Sequence, residues 1–261
     1  MTDLIIGSTS QLANYLPIHI KRIQSRNIKT DIFENNYNNV FLTFAEQRTF
    51  NKNLNEKDFI DVNVHYTSKI IDKLNNKCKR IIIYGTAELW NAHNGPININ
   101  TEIKYNYNPY VKSKEVLYNL VLEKRNKNEW ENVIVIHPMN FNSIGRKKGF
   151  LFFKIFDSIL KEKRITVGDL NIDRDIIHTK YLAYKSLSCE NDSIIGSGYT
   201  TNIRKFVINL YSAFDLEYSK YVRENKIKSP HKNNRFWLET SEKYYDLLLD
   251  TIEDIKKIKN Q

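Results

Sequence analysis

Short apolar runs alternate along the chain with longer segments whose apolar residues recur every three to four positions. Short runs ended by glycine or polar residues predict buried strands, and the recurring pattern predicts amphipathic helices. Strands are predicted at residues 3–6, 40–44, 81–83, 132–137 and 165–167, with a weaker one near 28–33; helices are predicted from about residue 10 and over 58–74, 109–125, 150–160, 202–214 and 240–258. Strands that alternate with helices predict a three-layer α/β sandwich around a parallel sheet.

The composition limits the classes of protein to which the chain can belong. With 261 residues, of which 41% are apolar, it can bury the core of one domain with a small annex. Two cysteines, Cys78 and Cys189, are too few for a disulfide scaffold and indicate a reducing compartment. Neither a secretion signal nor a membrane-spanning run is evident, so we expect a cytoplasmic protein without a membrane partner.

The net charge of +10 raises the question of nucleic-acid binding. The basic residues are spread along the chain, however, and neither a recognition helix nor the spacing of a zinc site is evident. We therefore expect no nucleic-acid partner and no metal site, and the charge favours a phosphorylated metabolite as the ligand.

A glycine turn follows the first predicted strand. Gly7-Ser-Thr-Ser-Gln-Leu-Ala13 joins that strand to the helix expected from about residue 10. A strand, a turn of small residues and a helix N-terminus can together bind a pyrophosphate through free backbone amides and the helix dipole. Ser10 and Ala13 stand where glycines would be expected, so a plain structural turn is an equally good interpretation.

The clearest chemical signal lies around the strand at 81–83. Thr86 and Glu88 follow this strand, at the edge where open α/β sheets hold their ligands. Tyr110 and Lys114 are four residues apart at the start of the next helix, so their side chains share a face. The ammonium beside the phenol is expected to lower the pKa of the tyrosine, which would make it a base near neutral pH. The competing interpretation is a chance pair in a chain rich in tyrosine and lysine.

A second polar segment, residues 138–149, follows the strand at 132–137. It combines side-chain amides with three successive cations, Arg146, Lys147 and Lys148. Such cations bind phosphate through charge-assisted hydrogen bonds, so the segment predicts a clamp for a diphosphate. A solvated basic loop is the equally good alternative.

Taken in order, these segments resemble the extended short-chain dehydrogenase/reductases, and within them the GDP-mannose 4,6-dehydratase group. Residues 7–16 are similar to the glycine-rich turn of that group, 86–90 to its Thr-Ser-Glu-Leu-Tyr segment, and 109–114 to its Tyr-x-x-x-Lys helix start. The loop 141–149, the segment 168–175 with His178 beyond it, and residues 201–206 and 220–222 resemble further motifs of the group. The resemblance therefore runs through most of the chain.

The resemblance implies a Rossmann-type fold in a single domain, 1–261, with a small C-terminal substrate-binding lobe. The cofactor-binding part is expected at about 1–140 plus 181–196, and the substrate lobe at about 141–180 plus 197–261. The resemblance implies NAD or NADP as the cofactor and a nucleotide-diphosphate sugar as the partner. It is also consistent with a homodimer. Besides Tyr110 and Lys114, the implied cofactor-binding residues are Gly7, Ser8, Thr9, Ser10, Gln11, Leu12, Phe44, Ala45 and His137.

The resemblance also assigns catalytic roles in a nucleotide-sugar 4,6-dehydratase of surface-polysaccharide synthesis. Tyr110 would accept the proton of the C4 hydroxyl, Lys114 would hold the nicotinamide ribose, and Thr86 would hydrogen-bond the C4 oxygen. Glu88 would remove the C5 proton and so separates dehydration from epimerisation or ketoreduction, which need only the other three. The implied contacts of the sugar nucleotide are Asn142, Arg146, Lys147, Lys148 and Arg174.

Several departures from the group leave other interpretations open. The stretch before the strand at 40–44 has room for about one β-α-β unit rather than two, so the sheet is expected to be shorter on this side. Ser143 replaces a loop histidine, Tyr181 an aspartate, and Ser229-Pro230 an Arg-Pro pair. A sugar-nucleotide epimerase or ketoreductase remains one alternative. A degenerate relative that binds nucleotide as a regulatory or scaffold protein is the other.

Overall fold

The structure, a computed structural model, describes residues 2–225 and 235–260. The strands are β1 (Thr2–Ile6), β2 (Lys21–Ile23), β3 (Tyr37–Leu42), β4 (Cys78–Tyr84), β5 (Gly95–Ile97), β6 (Val133–Pro138), β7 (Asn140–Asn142), β8 (Ile165–Val167), β9 (Asp173–Arg174), β10 (Ile176–His178), β11 (Ser193–Ile195), β12 (Thr201–Asn202), β13 (Val222–Glu224) and β14 (Phe236–Leu238). The helices are α1 (Glu56–Ile60), α2 (Thr67–Leu74), α3 (Pro109–Asn126), α4 (Leu151–Lys161), α5 (Thr179–Ser188), α6 (Ile203–Ser212), α7 (Tyr218–Tyr221) and α8 (Leu247–Lys259). A π-helical turn, Asp61–Tyr66, joins α1 to α2 without a break.

A six-stranded parallel sheet forms the centre of the molecule, in the order β2-β1-β3-β4-β6-β11. Leu4 of β1 lies opposite Val40 of β3, and Ile83 of β4 lies opposite Val135 of β6. Because every pairing is parallel, the carboxyl ends of the strands meet at one edge of the sheet. The remaining strands form two-stranded pairs: β5 with β14, β7 with β10, β8 with β13, and β9 with β12.

The side-chain alternation of the central strands divides the core between the two faces of the sheet. Ile81 and Ile83 pack on the face covered by α2 and α3, whereas Ile82 packs into the cluster on the opposite face with Ile155 of α4 and Leu182 of α5. All are buried. The continuous apolar runs of the strands are therefore explained by burial on both faces, and the expected three-layer α/β sandwich is confirmed.

Two sequence predictions on the β1 side are wrong. The segment after Gly7 forms consecutive turns up to residue 16, not the helix expected from about residue 10. Pro17 prevents a helix from extending through this segment, because proline cannot continue a helix and disfavours helical backbone in the preceding residue. The strand expected near 28–33 is a short 3₁₀ turn, Thr30–Phe33, and the strand β2 lies earlier, at Lys21–Ile23.

The shortening of the sheet on this side is confirmed. Only one strand, the three-residue β2, lies beyond β1 on this side, and it forms the edge of the sheet. The other predicted strands and helices are present with shifted ends, most of all α8, which begins at Leu247 rather than near residue 240. Helix α5 and strand β11 had not been predicted. The division into a cofactor part and a substrate lobe stays a prediction, and Ser229-Pro230 lies outside the described residues.

Within residues 2–225 and 235–260, no helix has the combination of length and apolar character needed to cross a membrane.

Candidate active site

A cavity of about 600 Å³ opens at the carboxyl edge of the central sheet. Four strands end against it, contributing Gly7 after β1, Thr43 after β3, Tyr84 at the end of β4 and Pro138 at the end of β6. This is the edge at which open α/β sheets bind their ligands, as the sequence predicted for Thr86 and Glu88. Both of those residues line the cavity.

Gly7 allows the chain to turn tightly at the end of β1. Its φ is +111°, a conformation that L side chains rarely adopt. A Cβ at this position would lie 2.8 Å from Oγ1 of Thr43 and 2.9 Å from the amide nitrogen of Phe44. The close approach of β1 to β3 at this point therefore requires glycine, whether or not a ligand binds.

The turn that follows Gly7 provides hydrogen-bonding groups to the cavity. The backbone amides of Thr9, Gln11 and Leu12 make no hydrogen bond to any described residue, and all three residues line the cavity. Gln11 is 7% exposed, and both its side-chain nitrogen and oxygen are buried without a partner among the described residues. Buried polar groups are rarely left unpaired, so these groups fit a polar ligand such as a pyrophosphate. The dipole of a helix does not assist them, because the segment forms turns.

Most of the predicted cofactor-binding residues are brought together around this cavity, but two are not. Ser8 does not line it. His137 is fully buried behind it, packed edge-on against the rings of Trp90 and Tyr118 and against Gly85. The predicted cofactor residues that line the cavity are Gly7, Thr9, Ser10, Gln11, Leu12, Phe44, Ala45, Tyr110 and Lys114.

His137 is therefore a core residue and not a cavity contact, contrary to the prediction. Neither ring nitrogen has a hydrogen-bond partner among residues 2–225 and 235–260. Burial lowers the pKa of His137 to about 4, because the charged imidazolium is poorly solvated there. The side chain is neutral at neutral pH and serves as packing beneath the active site.

The four predicted catalytic residues line the cavity together. Thr86 caps the short helical turn Ala87–Trp90, its hydroxyl accepting a hydrogen bond from the amide of Glu88 at 3.3 Å. Asn108 caps α3 in the same way, accepting from the amide of Tyr110 at 2.9 Å. These two caps fix the backbone at Glu88 and Tyr110, and so the positions from which their side chains extend. Lys114 follows Tyr110 by one helical turn, and its Nζ lies 5.9 Å from the centre of the tyrosine ring.

The pKa of Tyr110 is not lowered by Lys114, contrary to the sequence prediction. Burial raises the pKa of Tyr110 to about 12, because the phenolate is poorly solvated, and the charge of Glu88 adds to the rise. A hydrogen bond from Thr86 and the charge of Arg146 act in the opposite direction. Arg146 rather than Lys114 is thus the cation that favours the phenolate in this structure.

Lys114 is buried and directed towards the strand edge. Its Nζ donates a hydrogen bond to the carbonyl oxygen of Tyr84 at 2.7 Å. Burial lowers the pKa of Lys114 to about 8, since the ammonium loses its hydration. The side chain is anchored at the end of β4 and lines the cavity.

Glu88 lies on the same cavity wall and is held in place. Its Oε2 accepts a hydrogen bond from the side-chain amide of Asn91 at 2.9 Å. Its charge raises the pKa of Tyr110 and acts on Arg174, so the carboxylate lies near both. A carboxylate near the phenol, on a shared cavity, is the arrangement that the dehydratase interpretation requires.

The predicted sugar-nucleotide residues are divided between two cavities. A second cavity of about 200 Å³ is lined by Arg146 and Arg174, and Arg146 also lines the first. The guanidinium of Arg146 stacks on the ring of Phe150 at 3.8 Å, and burial lowers the pKa of Arg146 to about 10. Lys147 lines the first cavity, whereas the exposed Lys148 lines neither.

Asn142, also predicted to contact the substrate, lines neither cavity. It is 1% exposed, and both polar atoms of its side-chain amide are buried without a partner in the part of the chain that the structure describes. The prediction that it contacts the sugar nucleotide is not supported by this geometry.

Two groups of lining residues were missed by the sequence prediction. Gln24, Ser25 and Arg26 follow β2, and residues 46–48 follow β3. A correct placement of β2 would have indicated the first group, because the carboxyl ends of neighbouring parallel strands face the same ligand. In the second group, Nε of Arg48 donates a hydrogen bond to the carboxylate of Glu46 at 2.9 Å. Nothing in the sequence around these two residues had indicated this pair.

The sheet order, the glycine turn and the Thr/Tyr/Lys group at the carboxyl edge define a Rossmann-type α/β protein. More particularly, the chain belongs to the NAD dependent epimerase/dehydratase family, whose sequence model matches residues 7–184. That match includes the glycine turn and all four predicted catalytic residues. No protein of curated function matches the chain in sequence.

Several solved structures share the fold over nearly the whole chain. RMD from Pseudomonas aeruginosa, complexed with NADPH, has a TM-score of 0.80 at 15% identity and covers 99% of each chain. The dTDP-glucose 4,6-dehydratase of Bacillus anthracis str. Ames, in complex with NAD, has a TM-score of 0.77 at 14% identity, with 100% of this chain and 98% of the other covered. The UDP-N-acetylglucosamine 4-epimerase of Methanobrevibacter ruminantium M1 has a TM-score of 0.74 at 11% identity, with 98% of both chains covered. At these identities the likeness shows the fold alone.

Proposed function

We propose that this chain is an NAD(P)-dependent enzyme that oxidises a nucleotide-diphosphate sugar at C4 and eliminates water across C5 and C6. The observation that supports elimination is the position of Glu88. Its carboxylate lines the same cavity as Thr86, Tyr110 and Lys114. Oxidation or epimerisation at C4 needs no further carboxylate, whereas elimination needs a base at C5.

A dinucleotide fits the residues that are present. The cavity extends from Arg26 beyond β2, past the unpaired groups of Gln11, to Tyr110 on α3. Gly7 keeps the turn close to β3, and the free amides of Thr9 and Leu12 are available to a pyrophosphate. When bound, the nicotinamide supplies the oxidation at C4 and the later reduction at C6, so no external reductant is consumed.

The side chains of the protein transfer protons and orient the sugar and the dinucleotide. Tyr110 accepts the proton of the C4 hydroxyl, with Arg146 and the Thr86 hydroxyl favouring its phenolate form. Lys114, whose Nζ donates to the carbonyl of Tyr84, would hold the hydroxyls of the nicotinamide ribose. The C4 ketone makes the C5 proton acidic, and Glu88 removes it. The electrons of that C–H bond form the C5–C6 double bond as the C6–O bond breaks, and the C6 hydroxyl leaves as water by taking up the proton that Glu88 has removed.

Arg146 and Arg174 are our candidates for the diphosphate of the sugar nucleotide. They line the second cavity, which adjoins the first through Arg146. Guanidinium groups bind phosphate oxygens through paired charge-assisted hydrogen bonds, so two that line one small cavity suit a diphosphate. Two of the three solved structures named above are enzymes named for UDP- and dTDP-linked sugars, which supports the same class of substrate here.

The test is to incubate the protein with NAD⁺ or NADP⁺ and UDP-, GDP- or dTDP-linked hexoses, and to measure product mass. Loss of one water without external reductant is the expected result. An unchanged mass with altered stereochemistry would assign epimerisation, and consumption of NADPH or NADH would assign ketoreduction.

Two variants assign the steps. Tyr110→Phe is expected to abolish every reaction, because the proton acceptor is removed. Glu88→Gln is expected to lower water loss by about 10²-fold or more, the usual contribution of a general base, while oxidation at C4 persists as increased absorbance of the reduced dinucleotide. Glu115→Gln, a carboxylate of α3 that pairs with Lys112 outside the cavity, is the matched control. Full water loss by Glu88→Gln would reject the dehydratase assignment.

The absence of a helix in the described turn after Gly7 favours a second candidate, a nucleotide-binding scaffold without turnover. A protein of that kind would bind nucleoside diphosphates but leave every sugar unchanged. Calorimetry that finds no affinity for NAD⁺ or NADP⁺, with nucleoside diphosphates still bound, would favour the scaffold over the enzyme.

A further inference from the structure

One buried carboxylate outside both cavities joins three distant parts of the chain. Asp254 of α8 is 7% exposed. Its Oδ2 accepts hydrogen bonds from the hydroxyl of Tyr15, from Nε2 of His178 at 2.9 Å and from the amide of Ile144 at 3.4 Å. The three donors come from the turn after β1, the N-terminus of α5 and the loop after β7.

Two of these segments carry the walls of the main cavity. Tyr15 lies three residues after Leu12, which lines the cavity, and Ile144 immediately precedes Gly145 and Arg146, which also line it. The hydroxyl of Tyr15 further interacts with that of Ser143. Asp254 therefore ties the turn expected to hold the dinucleotide to the loop expected to hold the sugar nucleotide.

The turn and the loop are also in direct contact. Gly145 has a φ of +94°, and a Cβ built there would lie 3.1 Å from the side-chain nitrogen of Asn14. A displacement of either segment would therefore be transmitted to the other through packing as well as through Asp254.

The protonation state of the network is defined by the contacts of His178. Its Nδ1 accepts a hydrogen bond from the amide of Lys180 at 3.2 Å and so caps α5. In this tautomer the proton is on Nε2, which donates to Asp254. Burial raises the pKa of Asp254, but the hydrogen bonds from His178 and Tyr15 outweigh it and lower the pKa overall. The carboxylate is thus charged at neutral pH, which strengthens its three bonds.

We infer that Asp254 is a positioning residue that makes the dinucleotide and the nucleoside diphosphate bind cooperatively. It touches neither ligand site, and it acts by holding the turn at Tyr15 and the loop at Ile144 in one arrangement. The first ligand to bind orders both segments, so the second binds an already ordered site. This inference rests on the proposed binding of both ligands to the two cavities.

Helix α8 provides a matched control one turn earlier. Asp250 is 9% exposed and also accepts two hydrogen bonds, from Nζ of the exposed Lys180 at 2.8 Å and from the hydroxyl of Tyr244 at 2.6 Å. It makes no hydrogen bond to the turn 8–16 or to the loop 142–149 within the described residues. Asp250→Asn and Asp254→Asn therefore remove the same charge from the same helix, and only the latter removes the tie.

The experiment measures the dissociation constant of NADP⁺, and of NAD⁺, by calorimetry in the absence and presence of saturating UDP, GDP or dTDP. In the wild-type protein, the diphosphate that binds is expected to tighten dinucleotide binding several-fold. Asp254→Asn is expected to weaken each ligand alone by about tenfold, the usual effect of losing one charged hydrogen bond, and to abolish the tightening. Asp250→Asn should keep the tightening even if its melting temperature falls equally.

The possible failures are distinguishable. Equal tightening in Asp254→Asn and the wild-type protein, or its loss in both aspartate variants, overturns the positioning role while leaving the proposed function intact. Wild-type protein that binds neither dinucleotide overturns both. If Asp254→Asn does not fold, Tyr15→Phe replaces it, since it removes a single hydroxyl from the tie; unchanged tightening in that variant likewise rejects the inference.

Discussion

At the scale of single residues, the side chains at the end of β2 predict which dinucleotide the cavity prefers. Gln24, Ser25 and Arg26 line it there, and residues 24–27 include no carboxylate. In Rossmann-type proteins an acidic residue near this point binds the ribose 2′-hydroxyl of NAD, whereas a nearby arginine accommodates the 2′-phosphate of NADP. The side chains present therefore favour NADP.

We predict that the protein binds NADP⁺ at least about tenfold more tightly than NAD⁺, because Arg26 pairs with the 2′-phosphate. Arg26→Gln should remove most of this difference by weakening NADP⁺ alone. Calorimetry with both dinucleotides measures it, and Lys29→Gln, an exposed cation that does not line the cavity, is the control. Equal affinities of the wild-type protein for the two dinucleotides would contradict the prediction.

At the scale of elements, the turn between β1 and β2 replaces the expected helix. The guanidinium of Arg22, in β2, holds it together by donating to five backbone carbonyl oxygens. Those oxygens belong to Ala13, Leu16, Pro17, Ile18 and Ile20. One side chain thus satisfies carbonyl groups that a helix would have satisfied within its own backbone.

Removal of this guanidinium should therefore destabilise the turn between β1 and β2 and lower the free energy of unfolding of the whole protein. We expect Arg22→Met to lower the free energy of unfolding by about 2 kcal/mol or more, because several carbonyl oxygens lose a charged donor at once. Urea unfolding measures the change. Lys21→Gln, the exposed neighbour in the same strand, should change it by less than about 0.5 kcal/mol. A loss for Arg22→Met as small as that of the control would show that water replaces the guanidinium.

At the scale of the whole molecule, the central sheet buries a neutral histidine at the end of one of its strands. His137 lies at the end of β6, against Gly85 at the end of β4, where a Cβ would be 2.5 Å from its Nδ1. Its pKa is about 4 in the folded protein and about 6.5 in the unfolded chain. Between those values the unfolded state binds the additional proton, so stability falls as the pH is lowered.

We predict that this one group lowers the free energy of unfolding by about 2 to 3 kcal/mol between pH 7 and pH 4.5. His137→Gln should remove that part of the pH dependence, even if it lowers stability at pH 7. His19→Gln, at an exposed position, is the control substitution. Urea unfolding at the two pH values provides the comparison, and an identical slope in His137→Gln and the wild-type protein would contradict the assignment.

Much of this architecture follows from the sequence, and for identifiable reasons. The apolar runs around Leu4, Val40, Ile82 and Ile134 had to become central strands, because each is too short and too apolar to be stable elsewhere. The spacing of Tyr110 and Lys114 fixed their shared helical face before any tertiary contact was known. The apolar runs, residue spacings and motifs along the chain were therefore sufficient to predict the fold class, the family and the four residues that line the cavity together.

Tertiary structure decided what depends on distant neighbours. The pKa of Tyr110 is raised chiefly by burial and is further modified by the Thr86 hydroxyl and the charges of Arg146 and Glu88, which come from separate parts of the chain. The burial of His137 and the convergence of Tyr15, Ile144 and His178 on Asp254 join segments far apart in sequence. The sequence pattern determines which residues are buried along an element, but the solvation of each group and the partner it meets are properties of the assembled core.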